Sequence, residues 1–267
     1  MTESAYWRSD VSVVGDSTVR VRGYDLETLI GRLTYADSVH LLIRGELPTK
    51  GERRVLDSVL TAVLDYALQK PGTVAARFIA SANPSMSAAL AGAALAVGEY
   101  TLDPSDTVRF ALEQSRAFEA SDESLEAFAE RAVAQLRAEK KRIPGIGHPV
   151  FRFEDPRAQK LRDVAIEEGV WNSVGDVYEA LHRAFTALPG KESIPVNDVG
   201  MMGLLLAQLG YTAEESTGIS IISTLPGVVA HVSEELASRT PIRIIHPDQV
   251  EYSSDERSLP TEWEYAR

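Results

Sequence analysis

The stretch Pro144-Gly-Ile-Gly-His-Pro-Val-Phe-Arg-Phe-Glu-Asp-Pro-Arg157 decides how the rest of the chain reads. Its first half is not helix-forming. Pro144-Gly145 breaks the preceding pattern, and His148 stands between Gly147 and Pro149 in a loop running from Ile146 to Glu154. Its second half is a helix start. Asp155 is an N-cap residue and Pro156 suits the first helical position, where its missing N–H costs nothing. Arg157 therefore sits in the first turn of a helix that continues to about Glu168 and stops at Gly169, close to the loop that carries His148 and Arg152.

Outward from this loop the pattern is mainly helical. Upstream, Leu125, Phe128, Val133 and Leu136 mark one face of a helix ending in Lys140-Lys141-Arg142, whose charges complement the C-terminal dipole. Asp103-Pro104 opens the helix before it, with Asp as N-cap. Between Thr73 and Tyr100, Ala, Gly and Ser dominate. Such a stretch suits helices that approach closely or pack across a subunit interface, and equally a plain core helix, because alanine is a strong helix former. Nearer the start, Leu26, Leu29, Leu33, Val39, Leu41 and Leu42 fit helices separated by a turn near Thr34, with Gly45 to Pro48 ending the run. Before them, Ser12–Val14 and Thr18–Val21 flank Gly15-Asp16 as a short hairpin. Downstream, helices are expected over Val174–Leu188, Val199–Leu209, Thr212–Thr224 and Val228–Ser238, and only Ile242–Tyr252 reads as extended.

Bulk composition narrows the function classes. A chain of 267 residues, 44% hydrophobic and 25% charged, can bury one large core or two lobes sharing an interface. Its net charge of -12 argues against a nucleic-acid surface, which needs clustered cations, but leaves room for a small anionic ligand in a local positive pocket. The absence of cysteine removes disulfides, thiolate nucleophiles and Cys-ligated metals. No basic-then-apolar N-terminal segment is present, and the apolar run Gly203–Leu209 is too short to span a bilayer, so a cytoplasmic protein without membrane contact is expected.

Taken together, two regions resemble the citrate synthase superfamily. The Gly-x-Gly-His loop with Arg152 four residues after His148 and Asp-Pro-Arg157 is similar to its signature loop. Arg22-Gly-Tyr-Asp25, Leu29 to Ala36 and Leu41 to Thr49 look like its N-terminal region. Weaker matches at Ala75–Ser81, Pro195–Asp198, Gly227–His231 and Ile245–Pro247 extend the likeness over nearly the whole chain, and the last resembles the citryl-CoA lyase module of ATP-citrate lyase. The resemblance implies a two-lobed, mainly α fold. Residues 1–104 and 211–267 would form the large lobe and residues 105–210 a small lobe with the His148 loop. The ligand cleft would lie between the lobes, in a homodimer or higher oligomer.

It also implies chemistry. Breaking or making a bond α to a thioester passes through an enolate, so donors must hold developing oxyanions and a base must reach the α-carbon. By resemblance, His148 polarises the keto oxygen of a 2-oxo acid such as oxaloacetate, Arg157 clamps a carboxylate, and Asn197 and His246 contact substrate. Arg152, Gly145, Gly147 and Lys141 belong to the coenzyme A side, though the Lys140–Arg142 trio reads better as a solvated helix end. His182 and His231 read as ordinary helix histidines. The thioester is substrate; no tightly bound cofactor or metal is implied. Three departures qualify the activity. Aligning Asp65-Tyr66-Ala67-Leu68 on the family's Ala-Asp-His-Gly puts Tyr66, which cannot carry a positive charge, where a substrate-binding histidine belongs. Gly98–Asp103 lacks the histidine that steadies the synthase enolate, as citryl-CoA lyases do. Asn197-Asp198-Val199-Gly200 sets the expected catalytic base, Asp198, one position early, a rotation of about 100 degrees on a helix. The expected function is a citryl-CoA lyase-like enzyme. The alternatives are condensation with an unusual substrate, or a silent coenzyme A-binding subunit completed by a homologous partner chain.

Overall fold

The computed structural model describes residues 6–260 and residue 263. Among the described residues a three-stranded antiparallel sheet, β1 (Ser12–Val14), β2 (Val19–Val21) and β3 (Tyr24–Asp25), precedes eleven α-helices. The expected hairpin is thus present with one strand more; Val13 pairs Arg20 and Val21 pairs Tyr24. α1 (Leu26–Leu29) leads through a turn to α2 (Tyr35–Arg44), which starts in a reciprocal Thr34–Asp37 capping box and ends on Gly45 in the left-handed conformation. α3 (Lys50–Ala62) opens with a second such box, Thr49–Glu52.

The small-residue region forms two helices, α4 (Pro71–Ala82) and α5 (Met86–Leu95), reached through a short 3-10 turn at Ala67–Gln69. Next come α6 (Ser105–Glu119), α7 (Leu125–Ala138), α8 (Pro156–Glu167), α9 (Ser173–Thr186), α10 (Asp198–Gln208) and α11 (Ala213–Ser238). α6 begins one residue later than the Asp103-Pro104 reading places it, although the Asp103 carboxylate still accepts from the Ser105 N–H.

Two larger clusters of buried side chains, and a small one of Val108, Ala207 and Ala213, hold these helices. The larger contains Val55, Leu56, Phe128, Leu161, Tyr178, Leu181 and the Met201–Leu206 face of α10, which is buried along most of its length. Such bulky apolar side chains each contribute about 1.5–3 kcal/mol on burial. The second is built from Ala76 and Ala80 of α4, Ala89 and Ala93 of α5, and Val228 and Val232 of α11. Alanines there let three backbones approach closely.

Two elements differ from the sequence reading. The helices expected on either side of Pro226 are one helix, α11. Proline removes a single N–H from the ladder, while burial continues on both sides through Ile219, Val228 and Val232. Gly227 meets the chain at Leu64 so closely that an added Cβ would lie 2.3 Å from its carbonyl oxygen. The extended stretch Ile242–Tyr252 forms no strand. Ile242 and Arg243 donate their N–H groups to Ser81, and Pro247–Gln249 makes a 3-10 turn. Pro241 and Pro247 lack donors, and no neighbouring strand is available among the described residues.

Candidate active site

The His148 loop is fastened to the start of α10 by backbone bonds. Gly147 N donates to Pro195 O (2.7 Å) and Asn197 N donates to Gly145 O (2.9 Å), while from α9 the Tyr178 side-chain hydroxyl donates to Pro144 O (2.6 Å). Gly145, at φ +82°, lies against Gly200: a Cβ on Gly145 would stand 2.6 Å from Gly200 Cα, and one on Gly200 would stand 2.2 Å from Gly145 O. Only two glycines permit this approach. Asn197 is spent on the same junction, with Oδ1 accepting from Gly200 N (2.8 Å) and Nδ2 donating to Gly147 O (2.8 Å).

Asp155 caps α8 as expected and does more. Its buried carboxylate accepts from Arg157 N, Nε and Nη2 at 3.0, 3.1 and 2.8 Å, and from the backbone N–H of Asp198 at 3.2 Å. Burial alone would raise its pKa; the Arg157 bonds outweigh that and hold it below the usual value. One carboxylate thus ties the starts of α8 and α10 together and fixes the Arg157 guanidinium. The rings of Tyr66 and Phe151 flank that guanidinium, with centroids 5.1 and 5.5 Å from Cζ.

Asp198 sits beside the arginine. Its Oδ2 lies 3.0 Å from Arg157 Nη1, off the direction of the N–H, so the pair attracts without a directed hydrogen bond. Burial pushes its pKa up to about 6, against opposition from the backbone N–H of Val199. The one-residue displacement therefore leaves this acid within the cluster.

His148 completes the group. Its Nδ1 accepts from Val150 N and Phe151 N at 3.1 and 3.0 Å, which assigns the proton of the neutral ring to Nε2. Burial lowers its pKa, with Arg157 and Arg152 acting the same way against Asp155, so the ring is a neutral donor near pH 7. Nε2 is 3.2 Å from Arg157 Nη2, itself a donor. Two donors side by side mark a place for an oxygen bearing negative charge.

The remaining candidates separate. Tyr66 is at the site; its buried hydroxyl, Asp198 Oδ2 and His231 Nδ1 are the buried side-chain atoms without a hydrogen-bond partner among the described residues. Arg152 donates to His148 O and Phe151 O at the loop's edge. Lys141 is exposed and paired with Glu139 at 2.7 Å. His246, also exposed, bonds Asp248 at 2.7 Å and, among the described residues, makes no hydrogen bond or ion pair with the cluster. His182 Nε2 binds Ile194 O, and His231 Nε2 meets Asp65 at 3.1 Å. Behind Asp155 a groove opens among Phe153, Gln159, Arg162, Glu179 and His182. The sequence reading missed Asp155 as the organiser of the cluster, and Lys70, whose Nζ lies 3.9 Å from the Tyr66 ring centroid. A lone cation before Pro71, at the mouth of an alanine-rich helix, was the available signal.

The chain as a whole resembles known proteins. Residues 49–248 match the family model for the citrate synthase C-terminal domain. The chain belongs to the citrate synthase family. It is similar in structure to the citryl-CoA lyase of Hydrogenobacter thermophilus, with a TM-score of 0.88, 30% identity, and coverage of 97% of this chain and 99% of that one. It also matches the fold of Methanosaeta concilii ATP citrate lyase, solved with (3S)-citryl-CoA. There the TM-score is 0.79 at 18% identity, over 96% of this chain and 43% of that one. A citrate synthase of Deinococcus radiodurans is 24% identical over 247 residues, and the chain spans 59% of its length. Among the described residues no helix is long and apolar enough to cross a membrane.

Proposed function

We propose that this protein cleaves citryl-CoA or a close relative into an acyl-CoA and a 2-oxo acid, working in the lobe arrangement set out above, with the cleft between residues 105–210 and the rest. The observation that carries this is the donor pair His148 Nε2 and Arg157 Nη2, 3.2 Å apart. In the bound substrate the tertiary hydroxyl oxygen, which becomes the keto oxygen, would lie at His148, with an adjacent carboxylate on Arg157. Transfer of the hydroxyl proton to the Asp198 carboxylate sends the carbon–carbon bonding pair onto the thioester as an enolate, and return of that proton to the enolate carbon gives the acyl-CoA. Asp198, poised near pH 6, is the group for proton transfer at that carbon. In the condensing direction the same groups act in reverse.

The supporting roles follow from the contacts. Asn197 acts through the loop it holds, Gly145 and Gly147 shape that loop, and Arg152 at its rim is the contact for coenzyme A. Lys141 and His246 would join only through a partner subunit or the coenzyme's phosphates. Purified protein given citryl-CoA, with oxaloacetate followed by an NADH-consuming dehydrogenase, should turn over, and His148→Ala should lower kcat about a hundredfold or more. Absence of turnover together with retained coenzyme A binding would replace this reading by that of a silent binding subunit.

A further inference from the structure

Lys70 stands out among the buried polar groups. It is 8% exposed, and no carboxylate lies within ion-pair distance of its Nζ among the described residues. Its one hydrogen-bond contact is Thr224 Oγ1 at 3.5 Å. The nearest acid on its own loop, Asp65, is turned to His231. Buried cations are ordinarily paired, because desolvation is costly without a counter-ion. Lys70 instead shares the Tyr66 ring with Arg157, with Nζ at 3.9 Å and Cζ at 5.1 Å from its centroid. It precedes Pro71, so the positive end of α4 adds to the same field. Gly72, Thr73, Ala93, Thr101 and Thr224 leave a small cavity beside it.

Resting on the site assignment above, we propose that Lys70 is a second substrate-binding cation, which pairs with a carboxylate of the bound 2-oxo dicarboxylate alongside Arg157. Tyr66 cannot supply a charge at its position, and Lys70, immediately behind its ring, can once a carboxylate pairs with it. Arg157 already faces two carboxylates of the protein, Asp155 and Asp198, so its charge is largely taken up; that of Lys70 is not.

The chemistry leaves a signature. Burial, reinforced by Arg157 against Asp65, brings the Lys70 amine to about 7, so at pH 7.5 much of it is neutral in the free protein. A carboxylate arriving beside it restores the ammonium, and binding takes up a fraction of a proton. The charged or titratable groups facing it are Asp65 and Tyr66 from its loop and Arg157 from α8. Asp198 and His148 lie beyond Arg157, and the side chains of α5 and α11 lining the cavity beside it are apolar or hydroxyl-bearing, Ala93, Thr224 and Val228.

Calorimetric titration with oxaloacetate at pH 7.5, in phosphate and in Tris, tests this. The wild type should show proton uptake. Lys70→Met should bind about tenfold or more weakly without uptake, and Lys70→Arg should keep affinity within about threefold while losing the uptake. Wild-type affinity in Lys70→Met, or uptake persisting in Lys70→Arg, overturns the proposal; the arginine variant decides if the methionine variant does not fold. Arg157→Ala separates the two levels. Lost binding there with unchanged Lys70→Met sinks the Lys70 role alone, whereas unchanged binding in both sinks the site assignment as well.

Discussion

Two buried clusters pair arginine with carboxylate in inverse ratio. At the starts of α8 and α10 one arginine, Arg157, lies between two carboxylates, Asp155 and Asp198. Where α4, α11 and the C-terminal segment meet, one carboxylate, Glu235, lies between Arg77 and Arg243, at 2.7 and 2.6 Å. The second cluster is closed. Both oxygens of Glu235 accept directed bonds, and those bonds, Arg243 first, hold its pKa low despite burial. It fastens the segment after α11 to α4 and has nothing left to offer a ligand. The first cluster satisfies Asp155 completely and leaves Asp198 with an oxygen that accepts no directed bond and a pKa raised to about 6. Saturated ion clusters hold a fold together, whereas an unsaturated one beside free donors is built for something that arrives.

That contrast is open to breakage by substitution. Arg157→Ala strips the counter-ion from two buried carboxylates at once, and should lower stability by about 3–5 kcal/mol in urea unfolding, besides abolishing oxaloacetate binding. Glu235→Gln should cost about 2 kcal/mol at pH 7 with turnover unchanged. Because the folded pKa of Glu235 lies below its unfolded value, its contribution is present above the unfolded value of 4.5 and fades as pH falls through the folded one, so the two proteins should converge in acid. Arg243→Ala, at a side chain 38% exposed and with Arg77 remaining on Glu235, should cost only about 1 kcal/mol, seen as a small fall in Tm.

How far the sequence carried the reading differs between the same two regions. The His148 loop was legible because its determinants are local: glycines that break a helix, a cap and a proline that start one, and an arginine fixed in the first turn by spacing. The Gly145–Gly200 contact and the bond from Asp155 to the Asp198 N–H join segments more than forty residues apart, and no spacing rule foretells them. No motif or spacing around Glu235 or Lys70 marks either side chain as buried. Their burial follows from the closeness of α4, α5 and α11, which the alanine-rich composition hinted at without fixing. Pro226 misled for the opposite reason: its local signal to stop a helix is real, and tertiary burial on both sides overrides it.

The most direct test of this division is Asp198→Asn, measured for stability and citryl-CoA turnover in the same preparation at pH 7.5. A carboxyl raised from 3.8 to about 6 makes the fold less stable as pH climbs between those values, since the unfolded chain gives up its proton first. At about 1.36 kcal/mol per unit the ceiling is about 3 kcal/mol, reduced by what the Arg157 attraction returns. The expected outcome is a protein more stable than wild type by about 1–2 kcal/mol at pH 7.5, no more stable below pH 4, and at least a hundredfold slower. A variant that is less stable at neutral pH yet turns over citryl-CoA normally would show that Asp198 is a structural acid like Glu235, and would contradict the account.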